Sequence, residues 1–337
     1  MLRVTSAEKF PFGVRAILIG AGSALVGLLP WILTGLRLPV QNLWATDVAL
    51  PAQMPVAFLP FSQYEVAFMV SMLLVGGGLA GIVFRAWRVP RRRSTVLLLL
   101  AGVLVIDLVA IIQSAVVTGA GLREPTGFVA TLVTPEQVYL VGIVTIAVIG
   151  MLLALTACVF VAAVPAPGPM IGVALAASTL TSWATAFVVP PISVPANGVA
   201  GLLAALRYLP GLAVGVAVGL LWSRSLARSL VGGILAFALA WLGPTLITTM
   251  SGALGSRVLL TQPQELAAFG GLLFRTVALS WDVWGGILLG AVVAIVLIVV
   301  RAVVKGFSGD TFRPDVDEPA QDAQRPENVV ATPPRLK

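Results

Sequence analysis

The chain has no histidine, a single cysteine and little charge: Asp, Glu, Lys and Arg together make up 10% of its 337 residues. Each shortage excludes something. Without histidine there is no Ser-His-Asp triad, no HExxH zinc site and no histidine-ligated haem. The few carboxylates are scattered, so neither a metal centre nor a cofactor is expected. Cys158 cannot form an intrachain disulfide, and inside an apolar run it reads as a small packing residue. No Walker motif occurs, so ATP hydrolysis by this chain is not expected. A soluble domain carries about 25% charged residues, far more than this chain has.

What is abundant is apolar sequence, 58% of the residues. A helix needs roughly 20 mostly apolar residues to cross a hydrocarbon core. Eight windows qualify: 14–36, 64–84, 95–117, 138–162, 169–190, 208–222, 230–250 and 281–301. The sixth is short, and Gly243-Pro244 is expected to interrupt the seventh. The first run is too long for the apolar part of a cleaved signal and is expected to be a retained span. No prenylation or myristoylation signal is evident. The expected fold is an all-α polytopic membrane protein with eight transmembrane helices.

The net charge of +7 could indicate nucleic acid, but its distribution indicates a membrane. Arginines cluster in the second-to-third loop (Arg85, Arg88, Arg91, Arg92, Arg93) and the sixth-to-seventh loop (Arg224, Arg228). Others precede the first span (Arg3, Lys9, Arg15) or follow the eighth (Arg301, Lys305). Eight crossings place all four groups on one side. The opposite loops hold isolated arginines (Arg37, Arg123, Arg207, Arg257, Arg275) among Asp47, Glu124, Glu136 and Glu265. Both termini are therefore expected in the cytoplasm, no nucleic-acid partner is expected, and the arginine-rich composition points to a bacterial plasma membrane.

A charge-free proline turn, Val164 to Pro169, marks the midpoint. A shift of 135 residues lays Gly76 over Gly211, Trp87 over Trp222, Arg93 over Arg228 and Ser94 over Ser229, with eight matches in the 26 residues 76–101. Each half also alternates long outer loops with an arginine-bearing inner turn. The expectation is a parallel 4+4 internal repeat: four-helix halves at 1–164 and 165–305, related about the membrane normal, then a disordered cytoplasmic tail at 306–337.

The outer loops are apolar. Residues 37–63 carry Pro39, Pro51, Pro55 and Pro60. Residues 197–207 predict a short helix capped by Asn197, and 263–278 a second, amphipathic one with Glu265 in its first turn. Such helices either lie on the lipid surface or close over a cavity.

Asp107 is the clearest polar feature at membrane depth, twelve residues into the third window. A charge at mid-bilayer costs at least about 2.5–3.5 kcal/mol. Asp107 must therefore face the protein interior, be protonated or meet a partner. It is the candidate proton- or cation-binding group; a hydrogen bond to a neighbouring helix is the alternative. Ser114 lies seven residues on and shares its face. Ser178, Ser182 and Thr185 predict a hydroxyl face on the fifth span. Gly243, Pro244 and Thr245 would supply an opened helix in the seventh, at the depth the repeat offset assigns to Asp107. Helix packing is the alternative role for the hydroxyls. The glycine stripes Gly77/Gly81 and Gly211/Gly215/Gly219 predict close helix contacts.

These features predict a non-enzymatic, permease-type protein that moves a small or lipidic solute, with Asp107 as its coupling or binding carboxyl. The alternative is a scaffold or assembly subunit of a cell-envelope or division complex, with partners at the outer loops or the tail. A lipid-linked transferase using Asp47 or Glu65 ranks third.

Overall fold

The computed structural model describes residues 11–38, 54–87, 89–122, 135–191, 193, 195–223, 225–256 and 262–309. Asp47, Arg123, Glu124, Arg257 and the tail beyond Gly309 lie outside them. The described residues form helices and no strand: α1 Phe12–Leu33, α2 Val66–Ala86, α3 Arg93–Gly121, α4 Pro135–Ala162, α5 Gly168–Ala177, α6 Leu180–Val188, α7 Ala200–Leu206, α8 Leu209–Leu221, α9 Leu226–Gly255, α10 Pro263–Ala278 and α11 Trp281–Gly309. They supply eight segments long and apolar enough to cross a membrane, α5 with α6 and α7 with α8 each counting as one. This is a multi-pass membrane protein. The described chain up to Val299 is one compact unit; the second begins at Val300 and includes the end of α11.

The spans pair in parallel with the span after next, through small residues. Gly20 of α1 lies against Leu99 and Gly102 of α3, and Gly77 and Gly81 of α2 lie against Ala154 and Cys158 of α4. Gly232 and Gly243 of α9 lie against Met170 of α5 and Ser178 just after it. Gly211 and Gly215 of α8 lie against Gly286 and Gly290 of α11. At most of these crossings an added Cβ would run into the neighbour's backbone; at Gly232 and Gly243 it would meet side chains. In lipid there is no hydrophobic drive between helices, so such close approach is what holds them together. Cys158 is fully buried in one of these contacts, as its packing role requires.

The described ends of the connection after α1, 34–38 and 54–65, pack into the protein. Gly35 (φ 90°) and Leu36 (φ 59°) take left-handed conformations and end the helix. Their N–H groups donate to Ile32 O at 3.2 Å and Trp31 O at 3.3 Å, a Schellman closure that satisfies two carbonyls. The chain then pairs Arg37 with Val56 in an antiparallel bridge. Ala57, Leu59 and Phe61 are fully buried although this segment is irregular. Side chains satisfy its backbone. Trp31 Nε1 donates to Ala57 O (2.8 Å), and the Phe58 and Leu59 N–H groups donate to Gln113 Oε1 (2.8 Å) and Ser114 Oγ (2.7 Å). Gln113 Nε2 donates to Val56 O (2.8 Å) and the Tyr139 hydroxyl to Phe61 O (3.3 Å). Irregular backbone survives at such depth only where protein supplies these partners.

Three expectations need correction. Span seven is not interrupted: α9 runs unbroken through Pro244, and the discontinuity falls in span five, at Ser178-Thr179 between α5 and α6. Proline removes one backbone donor without ending a helix that neighbours hold on both sides. Residues 197–207 do not begin at an Asn197 cap either. Gly198 is left-handed (φ 91°), so α7 starts only at Ala200. The last helix also runs past 306, to Gly309.

Candidate functional site

The register of α8 and α11 builds the site. Gly211 faces Gly286 and Gly215 faces Gly290. Arg207 and Asp282 stand one turn before the first facing pair, each four residues before its glycine. In parallel helices that equal spacing brings them together, and Arg207 Nη1 bonds Asp282 Oδ2 at 2.6 Å. Both side chains are about half exposed (52% and 55%), so the pair sits at the end of the bundle, not in its core.

Beneath that pair is a cavity of about 350 Å³, within the usual range of small-molecule sites. Its deep wall is the helix discontinuity, with Ser178, Thr181 and Ser182, facing Ala240, Pro244 and Thr248 of α9. Thr276 and Ser280, at and after the end of α10, line it near the ion pair. Two indoles fix that end of α10: Trp241 Nε1 and Trp284 Nε1 both donate to Ala278 O, at 3.0 and 2.9 Å. The C-terminal end of the amphipathic helix therefore borders the cavity.

The lining offers both acceptors and donors. Ser178, Thr181, Thr276 and Ser280 donate their hydroxyl protons to backbone carbonyls, of Leu175 (2.7 Å), Leu206 (3.2 Å), Leu272 (2.9 Å) and Val277 (2.8 Å). Their oxygens keep only acceptor capacity. Pro244 has no N–H to offer the Ala240 carbonyl one turn below. These oxygens and the Ala240 carbonyl thus offer acceptors to a ligand hydroxyl, while Arg207, Ser182 and Thr248 in the same lining can donate.

The residues singled out from sequence are distributed differently. Ser178, Ser182 and Pro244 line the cavity, and Gly243 packs directly on Ser178. Thr185 is not in the lining, although it lies one turn beyond Ser182 on the same helix, α6. Thr245 is fully buried and donates to Trp241 O at 2.6 Å, within its own helix. Ser114 holds the tucked segment 54–63 through Leu59. Asp107, the central residue of α3, is 1% exposed and its Oδ2 has no hydrogen-bond partner. It does not line the cavity and lies about 10 Å along α3 from Ser114.

Arg207, Asp282, Thr276 and Ser280 are not among the site residues expected from sequence. The signal was present: Arg207 and Asp282 each precede a glycine pair of identical spacing. Glu65, which precedes α2, is partly enclosed; burial pushes its carboxyl up from 4.5 to about 7. No protein-family model, curated protein or solved structure matches this chain.

Proposed function

We propose that the chain is a permease-type protein of a bacterial plasma membrane that moves a small or lipidic solute bearing hydrogen-bonding groups. The observation that carries this reading is the helix discontinuity at Ser178-Thr179, set against Gly243-Pro244 at the deep end of the 350 Å³ cavity. Broken helices at mid-span are the usual binding elements of transporters. Both termini are cytoplasmic in this reading. Arg15, Arg91–Arg93 and Arg228 mark one end of the bundle, and Glu65, Arg207 and Asp282 the other.

The repeat belongs to the same proposal. Residues 1–164 and 165–305 are two parallel four-helix halves. In each, the first span pairs with the third and the second with the fourth, through small residues. Asp107 is the coupling carboxyl in one half and the cavity is the solute site in the other. Trp183 Nε1 of α6 donates to Gly27 O of α1 at 2.8 Å, and α1 packs along α3. A change in charge at Asp107 would reach the cavity wall by that route.

The test uses vesicles containing the reconstituted protein and an internal pH dye. Polyols and amino alcohols are added outside. The wild type is expected to admit protons with the solute, and Asp107→Asn to abolish that proton entry at normal expression. Ser182→Phe should abolish the response by filling the cavity. Unchanged proton entry in Asp107→Asn would remove the carboxyl from the mechanism, and an unchanged response in Ser182→Phe would remove the cavity.

One observation favours a second reading, an assembly subunit of a cell-envelope complex. α11 leaves an aliphatic face uncovered, with Val292, Ile295 and Val299 more than half exposed. That reading expects a fixed co-purifying partner and tolerance of Asp107→Asn.

A further inference from the structure

A groove of about 560 Å³ runs between α1 and α2 at the arginine-rich end of the bundle. One face of α1 supplies Arg15, Leu18 and Val26, and one face of α2 supplies Leu79, Val83 and Trp87. Apart from Arg15 and Ser23 the described lining is apolar, and Arg15 is its one charged residue.

The crossing of the two helices sets the groove's length. Gly27 of α1 lies against Met72 and Gly76 of α2. Arg15 stands twelve residues from Gly27, and Trp87 eleven from Gly76. Those separations are about 18 and 16.5 Å along antiparallel axes, so Arg15 and Trp87 are nearly level at the mouth. At the deep end α6 meets α1, where Trp183 Nε1 donates to Gly27 O at 2.8 Å, next to Val26. From Arg15 to Val26 the groove extends about 16.5 Å. One leaflet of a hydrocarbon core roughly 30 Å thick is about 15 Å deep. The groove therefore matches one acyl chain in length.

The mouth is built for an anion. Arg15 is partly buried, and its guanidinium forms no ion pair or hydrogen bond with any described residue. It lies over the Phe12 ring, 5.9 Å from the centroid, a contact that uses none of its five N–H donors. A partly desolvated charge calls for a partner. The described carboxylates do not supply one: Glu65, Asp107, Glu136, Glu265 and Asp282 lie at mid-span or at the opposite end. Arg85, Arg91, Arg92, Arg93 and Arg228 share the end that carries Arg15. A headgroup with an ammonium would find only like charge there, whereas a net negative one is attracted by all of them. Trp87 is 69% exposed and suits the interfacial level, where its ring is apolar and its N–H wet.

We infer that this groove binds an anionic phospholipid, with its phosphate at Arg15, its glycerol region beside Trp87 and one acyl chain laid along α1 and α2 to Val26 and Leu79. The second chain remains in the bilayer. With the termini in the cytoplasm, the lipid belongs to the inner leaflet. The site stands whether or not the protein transports anything.

Photolabelling tests this. The full chain is reconstituted in phosphatidylcholine vesicles with a trace of phosphatidylglycerol that carries a diazirine at the chain terminus or near the carbonyl. Adducts are mapped by mass spectrometry. The terminal probe is expected to mark Val26 and Leu79, and the carbonyl probe Leu18 and Trp87. Unlabelled phosphatidylglycerol should displace both and phosphatidylethanolamine should not. Arg15→Gln should weaken labelling by about fivefold, the effect of one arginine beside an anionic surface. Gly22→Trp fills the groove from a position where an added Cβ meets open space. It should abolish the Val26 adduct while adducts on exposed Val292 of α11 persist. Val83→Trp repeats the test from α2 if that variant does not fold. Equal displacement by phosphatidylethanolamine, or unchanged labelling in Arg15→Gln, would overturn the anionic headgroup. A reversed depth pattern, or an unchanged Val26 adduct in a folded filled variant, would overturn the groove. Displacement by oleate but not by phosphatidylglycerol would assign the site to free fatty acid and overturn the phospholipid.

Discussion

The first four spans and the last four are assembled by the same kind of contact and end in opposite states. In α1–α4 the α2–α4 seam continues outward without a charge: Leu73 and Gly150 occupy the turn beyond Gly77 and Ala154. The connection 54–63 is folded into that region and bonded by Trp31, Gln113, Ser114 and Tyr139. In α5–α11 the α8–α11 seam ends one turn out at an ion pair, and a cavity of 350 Å³ lies below it. Backbone-to-backbone packing does not by itself decide between a sealed bundle and an open one. The described outer connections differ in what they supply: irregular backbone that is buried, as 54–63 does, or a helix that only borders the space, as α10 does.

The contrast can be broken most forcefully at the seam itself. Gly215→Leu forces a side chain into the Gly290 backbone, and neither helix can yield without separating. Overpacking typically costs about 1–3 kcal/mol and more where backbone is struck. The variant should lose its monodisperse peak in size-exclusion chromatography, whereas Gly142→Leu, which meets open space, should not. Equal behaviour of the two would show that α8 and α11 are not held by this seam.

The next effect concerns the sealed side. Ser114→Ala removes the acceptor of the buried Leu59 N–H, a loss of about 1–3 kcal/mol. Cysteine introduced at Leu59, fully buried in the parent, should then react with a water-soluble maleimide. Protection equal to that of the parent would mean the segment is held without Ser114. The smallest effect is at the ion pair. Arg207→Ala should change thermal stability by less than about 1 kcal/mol, because both partners are half exposed. Its consequence should appear in solute response instead; a large drop in melting temperature would make the pair structural.

The architecture was legible because bilayer thickness constrains span length and loop charge constrains parity. The glycine stripes were legible for the same reason, since few other residues permit such contacts. The site was legible only in part. Gly243-Pro244 looked like a break because proline forbids one hydrogen bond locally, yet packing against α5 keeps α9 continuous. The true discontinuity, at Ser178-Thr179, carries no proline or glycine and follows from tertiary contacts. Ser114 was read as a neighbour of Asp107 because the two share a helix face. The segment it binds is distant in sequence, so that role could not be inferred from spacing.

The pairing of each span with the one after next has a consequence for biogenesis. When α1 and α2 leave the translocon, neither has met its parallel partner, since α3 and α4 are still to be synthesised. The 54–63 connection, whose acceptors and donors include Gln113 and Ser114 of α3 and Tyr139 of α4, must wait for the same two helices. The nascent chain therefore passes through a stage in which its most tightly enclosed stretch is still wet, and the order of synthesis runs opposite to the order in which this region becomes protected.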